Sequence, residues 1–170
     1  MDNRRIFRYF SFDSMARTAS LGQIASPLDE KDRLLLELVQ KDARLSFAEL
    51  GRRCGLSPPA AAERLKRLEA SGVVTGYHAA VPASEMGLDL AAFIEVQVKR
   101  TDYPRFEKAI AKLAWVLECH HVSGRASFLV KVAVPNVAGL DLLIGHLSQF
   151  GETTTSLILS SLVERRVFER

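Results

Sequence analysis

From residue 28 to Gly72 the apolar positions of this chain follow a helical period, and after it strand and helical periods alternate. Over residues 28–41, Leu35, Leu38 and Val39 recur at helical spacing. Asp29 is placed to cap that helix, and Glu30 and Asp32 suit the positive end of its dipole. Residues 42–45 connect it to a second helix. Ser46-Phe-Ala-Glu49 opens that helix as a capping box: the serine oxygen takes one orphan N–H and the glutamate answers another. The helix stops at Gly55, the residue a helix end prefers. Ser57 caps a third helix, with Pro58 at its first position and Gly72 past its end. With Leu65 facing inward, Ala61, Ala62 and Leu68 fall on the same side. Pro59, Ala60, Glu63, Lys66 and Arg67 then face outward or flank, and Arg64 sits at the border. Two short helices joined by a tight Gly-containing turn, with a preceding helix to bury their inner face, predict a helix-turn-helix.

Beyond Gly72 the residues become β-rich. Residues 73–81 predict a small hairpin or a single wing strand, and the turn residues of 82–87 predict a hinge. Residues 93–99 alternate apolar and polar from Ile94 on, the mark of a half-buried strand. Asp102 is placed to cap a helix with Pro104 near its start and Tyr103, Phe106, Ile110 and Leu113 on one face. Strands follow over 116–122 and 127–134, joined by a turn at Ser123-Gly124-Arg125-Ala126. Phe128, Val130, Val132 and Val134 share one side of the second. Pro135 ends it, and Asn136 caps a helix on which Leu140, Leu143, Ile144, Leu147 and Phe150 face one way. Residues 153–161 make a fourth strand and 162–168 extend to a fifth.

The order β-α-β-β-α-β is the ferredoxin-like split motif, an antiparallel sheet with both helices on one face. Phe93, Leu129, Ala133 and Ile158 keep the other face apolar as well. A second copy covering that face is the simplest way to bury it. The predicted fold class is α+β. A winged helix-turn-helix domain over 27–81 is joined by a hinge at 82–87 to a ferredoxin-like sensing and oligomerisation domain over 88–170. Residues 1–26 show no period and read as an N-terminal extension, flexible or partly ordered, in which Met15 is an alternative start. Arg4, Arg5, Arg8 and Arg17 within it read as a solvated tail rather than as phosphate contacts.

Composition changes this picture little, but charge sharpens it. With 48% hydrophobic and 25% charged residues, 170 residues suffice for one ordinary domain or two small ones. Net charge is only +3, so a nucleic-acid surface has to be local. Residues 51–67 carry Arg52, Arg53, Arg64, Lys66 and Arg67 against Glu63 alone, a net +4, whereas residues 83–170 are neutral. Cys54 and Cys119 lie far apart and read as reduced thiols of an intracellular chain. No apolar run reaches the ~18 residues of a membrane span, and no secretory signal pattern is visible, so a cytoplasmic location is expected.

The chain resembles the Lrp/AsnC (leucine-responsive/asparagine-regulator, feast/famine) family of transcription factors. The resemblance runs through Leu28-Asp29-Glu-Lys-Asp32, Leu38-Val-Gln-Lys-Asp-Ala-Arg44, Glu49-Leu50, Gly55-Leu56-Ser57, Glu63-Arg64-Leu65-Lys66-Arg67-Leu68-Glu69 and Gly72-Val73-Val74-Thr-Gly-Tyr77. It continues through Glu118-Cys119-His120-His121-Val122-Ser123-Gly124 and Leu129-Val130-Lys131-Val132, covering about residues 27–168. It implies a winged helix-turn-helix that binds double-stranded DNA. It also implies a C-terminal domain that senses a small-molecule effector and dimerises, with homodimers assembling further, commonly to octamers.

In a helix-turn-helix the first residues of the recognition helix reach base edges and later ones meet the backbone. Ser57, Pro59, Ala60 and Glu63 are therefore base-edge candidates. Arg64, Lys66 and Arg67 are candidates for phosphate or guanine, and Arg52 and Arg53 for backbone. In the family a Ser-Gly turn followed by acidic residues binds amino-acid effectors at the dimer interface. Its counterpart here is Ser123-Gly124-Arg125-Ala126-Ser127, which has no Asp. The effector is then a different amino acid, an anion drawn by Arg125, or absent, and a purely structural turn is the competing reading.

Cys119-His120-His121 sits on a strand, where neighbours point to opposite faces, so the three cannot converge on one metal ion within a protomer, although Cys119 and His121 share a face. His78 and His146 read as structural or exposed. No catalytic cluster and no cofactor site stand out. Two other function classes remain: an enzyme of similar architecture that decarboxylates sirohaem-type tetrapyrroles, and a protein-interaction module using the winged domain. The first needs a pocket holding many carboxylates, whereas the C-terminal half has no charge surplus and no catalytic cluster, and the basic third helix argues against the second.

Overall fold

The computed structural model describes residues 27–168. The expectations for residues 1–26, with Met15 and the arginines there, lie outside them. The described chain divides into two compact units: one holds residues 80–162, the other residues 27–79 together with 163–168.

The helical unit consists of α1 (Glu30–Lys41), α2 (Phe47–Cys54) and α3 (Pro58–Ala70). Leu35, Leu38 and Val39 from α1, Leu50 and Cys54 from α2, and Ala61 and Leu65 from α3 form one core. Each large side chain fully buried there stabilises the unit by about 1.5–3 kcal/mol. Leu34, Leu45, Leu56 and Val74 close its rim. The α2–α3 turn depends on two glycines. Gly55 takes the left-handed conformation that ends α2, at φ 62°. Gly51 lets the turn fold back over α2, since a Cβ there would stand 2.6 Å from the Leu56 carbonyl oxygen.

The sheet unit comprises β1 (Leu90–Val98), α4 (Tyr103–Ile110), β2 (Val116–His121), β3 (Phe128–Val134), α5 (Val137–Ser148) and β4 (Gly151–Leu157). The strands form one sheet in the order β2-β3-β1-β4, and every pair is antiparallel. Ala92, Ile94, Val96 and Val98 of β1 and Phe128, Val130, Val132 and Val134 of β3 share the helix-covered face. Phe106 of α4 and Leu140, Leu143 and Leu147 of α5 pack onto them. Phe106 lies 4.6 Å from the Phe128 ring and edge-on to Phe150 at 5.4 Å. The opposite face carries Ala91 and Phe93 of β1, with Phe93 paired to Lys131 and Ser156 and Glu95 paired to Leu129 and Thr154. It is an apolar centre with charged neighbours.

Several local expectations are corrected. Residues 73–81 form no strand. The unit offers this run no second strand to pair with, and it folds back on α3 instead. Val74 N–H donates to the Leu68 carbonyl at 3.1 Å, and the Tyr77 hydroxyl donates to Glu69 at 2.8 Å. Burial, and then Glu69, pushes that hydroxyl up to about 12. Residues 162–168 form no fifth strand; from Val163 on they belong to the helical unit, where the Phe168 N–H donates to the Gln40 side chain at 3.2 Å. Asp102 makes no side-chain cap: it ends a 3-10 turn, and its φ/ψ of −99°/−2° is not the extended backbone a cap needs. Asn136 does cap α5, accepting the Gly139 N–H at 2.9 Å.

Gly51→Ala is expected to destabilise the chain by about 1–3 kcal/mol, the usual cost of forcing a methyl into a packed contact. Chemical denaturation of wild type and variant measures it, and an unchanged midpoint would contradict the close approach at Gly51.

Candidate nucleic-acid interface

α3 is built with one buried and one open face. Ala61, Leu65 and Leu68 are buried, while Pro59, Glu63, Lys66 and Arg67 are exposed and Ala60, Ala62 and Arg64 lie between. The Ser57 hydroxyl accepts the Ala60 N–H at 3.4 Å and so holds the start of the helix. Thus Ser57, Pro59, Ala60, Glu63 and Lys66 form a contiguous strip that nothing in the helical core uses.

The arginines behave differently. Arg64 reaches back to α1, donating to Asp29 at 2.5 Å and to Asp32 at 2.8 Å. Arg67 donates to both Asp32 oxygens, at 3.0 and 3.1 Å. The Asp32 side chain is 4% exposed, while Arg64 is 28% and Arg67 63% exposed. Asp32 also closes a full capping box with Asp29. Its carboxylate accepts the Asp29 N–H at 3.3 Å, and Asp29 accepts the Asp32 N–H at 2.7 Å. The Asp29 carboxyl is held below its ordinary range by that N–H first and by Arg64 next. Arg64 is raised still further, first by Asp29 and then by Asp32.

On α2 the capping box read from Ser46 and Glu49 is half made. The Ser46 hydroxyl accepts the Glu49 N–H at 3.2 Å. The Glu49 carboxylate turns instead to Arg52, at 2.7 and 2.9 Å, and to Arg53 at 2.6 Å. These two guanidinium groups, Arg52 first, hold the Glu49 carboxyl down at about 2. Of the five basic residues between 51 and 67, four have acidic partners within the unit; Lys66 alone has none among the described residues. The local +4 of the sequence is therefore largely answered by Asp29, Asp32 and Glu49. Sequence reasoning placed Asp32 only at the positive end of the helix dipole and missed its capping-box and arginine-pairing role. Its signal was an acid three residues after the capping Asp29.

In the sheet unit, Ser123 to Ser127 form the β2–β3 connection. Ser123, Gly124 and Arg125 are exposed, and their backbone N–H groups meet no acceptor among the described residues. Ala126 is buried. Ser127 is tied to β1, its N–H donating to Val96 O and its hydroxyl to Val98 O, both at 3.0 Å. Arg125 stands 3.9 Å from Glu95 of β1. The strand places Cys119 in the core rim and His121 against Tyr103 and Phe128, while His120 turns to Glu118 at 3.1 Å. Burial pushes the Cys119 thiol up to about 11.

This combination defines a helix-turn-helix transcriptional regulator with an antiparallel α+β domain. Residues 28–69 match the AsnC-type helix-turn-helix domain, and residues 91–168 match the Lrp/AsnC ligand binding domain. The transcriptional regulator LrpC of Bacillus subtilis is 33% identical over 135 residues, spanning 79% of this chain and 94% of that protein. The leucine-responsive regulatory protein of Escherichia coli is 38% identical over 122 residues, 70% of this chain and 74% of its own length. The solved structure of B. subtilis LrpC superposes with a TM-score of 0.78 at 32% identity, covering 82% of this chain and all (100%) of that one. A transcriptional regulator from Neisseria meningitidis, solved as a complex with L-Met, gives 0.77 at 28% identity, covering 83% and 96%. The chain belongs to the Lrp/AsnC family, and these relatives are transcriptional regulators, not enzymes.

The lowered Asp29 and Glu49 carboxyls set a pH dependence. A group depressed on folding adds stability above its unfolded value and loses it as pH falls towards the folded one. The Glu49 contribution is present above its ordinary 4.5 and fades towards about 2. Thermal melts over that window are expected to show Glu49→Gln losing less stability than wild type on acidification, with the difference shrinking in high salt. Parallel pH profiles for the two proteins would remove the assigned role of Glu49.

Proposed function

We propose that this chain regulates transcription by placing α3 in the major groove of specific double-stranded DNA sites. The observation that carries the reading is the strip Ser57, Pro59, Ala60, Glu63 and Lys66: open to solvent except for a half-buried Ala60, contiguous, and running from the N-cap along a helix whose other face is core. Residues at that end of a recognition helix read base edges, and the helix N-terminus favours phosphate. Arg52 and Arg53 stand on α2, where backbone contact is the natural role. The protein acts in the cytoplasm, needs no cofactor and catalyses no reaction. Among the described residues no helix is long and apolar enough to cross a membrane.

The active form is a homodimer that buries the open sheet face around Phe93 and Leu129, and dimers associate further. Two copies then present two α3 helices to successive grooves of a pseudo-palindrome. The effector is an amino acid held at Ser123, Gly124 and Arg125. The unanswered N–H groups of these residues suit a carboxylate, and Glu95 supplies the acid that the turn itself lacks. Ala126 and Ser127 shape this site from behind. The effector acts by binding one assembly state more tightly than another.

Lys66→Ala is expected to weaken DNA binding about equally across sequences and to lower the salt slope by about 1, whereas Glu63→Ala relaxes sequence preference. Gel shifts over a salt series measure both, and negligible affinity even at low salt would end the DNA-binding reading. Calorimetric titration with each of the twenty amino acids is expected to give heat for at least one in the wild type and a weaker response in Glu95→Gln. Silence with all twenty would end the effector reading.

A further inference from the structure

A recognition helix with three cations in four positions would be expected to seize phosphates wherever it meets DNA. Phosphate contacts hold a protein on DNA without carrying sequence information. Here two of the three are engaged by acids of α1, although Arg67 itself stays exposed. Asp32, on α1, receives Arg64 on one oxygen and Arg67 on both, and its side chain is almost wholly enclosed. Asp29 takes the remaining hold on the same Arg64 nitrogen. The capping box fixes both acids to the first turn of α1, so they cannot swing out with the arginines.

We infer that Asp32 is a specificity-determining positioning residue: it withholds the guanidinium groups of Arg64 and Arg67 from DNA. The inference rests on the reading that α3 enters the groove. Asp32 touches no base itself. By holding the two arginines against α1 it leaves Lys66 as the cation of α3 that meets phosphate. Discrimination then falls to Pro59, Ala60 and Glu63, whose contacts depend on sequence. Sequence-independent affinity is lowered more than specific affinity, so the ratio between them rises.

The test uses the full chain, a site selected from genomic DNA and a mixed-sequence duplex, with binding measured over a salt series. Asp32→Asn keeps the size of the side chain but not its charge. It is expected to free the arginines, steepen the salt slope on mixed-sequence DNA by about 1–2, and lower the specific-to-mixed affinity ratio about tenfold. A purely structural role would lower both affinities together without steepening the slope. Arg67→Gln removes an exposed side chain and serves if Asp32→Asn does not fold. It is expected to leave the mixed-sequence slope unchanged, whereas a phosphate-bound arginine would take about 0.9 from it.

An unsteepened slope in folded Asp32→Asn, or a lowered slope in Arg67→Gln, overturns the inference. Lys66→Gln separates the two levels. If it lowers the slope, α3 meets DNA and the arginine results bear on the clamp alone. If it does not, the groove reading itself falls and takes the clamp with it.

Discussion

A carboxylate enclosed in a small helical unit has to be answered by donors from other elements, and Asp32 imposes that demand on the whole helix-turn-helix. Its charge would be costly to bury alone. The donors come from Arg64, Arg67 and the Asp29 backbone, so the first turn of α1 is bolted to the middle of α3. The apolar core beneath, from Leu35 to Leu65, presses the helices together without specifying their rotation. The ion cluster is directional and supplies that. The same contacts decide which charges of α3 remain open, so stability and recognition are linked through one side chain.

The sheet unit is held by a different kind of force. Its core is a continuous apolar layer between β1, β3, α4 and α5, with Phe106 at the centre of an aromatic group that includes Phe128 and Phe150. Polar groups in this unit do their work at its edge. Ser127 spends both its N–H and its hydroxyl on the end of β1, which anchors one side of the β2–β3 connection and leaves Ser123, Gly124 and Arg125 projecting. A rigid stem with an open tip is what a small-ligand site requires.

Much of this was legible in the residues. The three helices, the Gly55 turn, the inward Leu65 face and the order of strands and helices all follow from periods and caps that act over a few residues. The Lrp/AsnC membership was legible too, because its motifs are spread through both units. The two strand misreadings share one physical cause. Residues 73–81 and 162–168 have strand-like composition, yet a strand exists only where another lies beside it, and local sequence does not report its neighbours. Glu49 fitted a capping box, but two arginines one turn on offered it charged partners that a single backbone N–H could not match.

The sequence by itself determined the main helices and the four strands of the sheet, the two-part α+β organisation and the outward strip of α3, since these depend on propensity, capping and hydrophobic period. It also showed a net +4 between residues 51 and 67. Only the tertiary structure decided what that charge is worth. Asp29 and Asp32 lie more than thirty positions before Arg64 and Arg67, and packing of α1 against α3 brings them within hydrogen-bond distance. Charge counted along a chain is additive, but charge presented to a partner is what remains after the fold has paired its own.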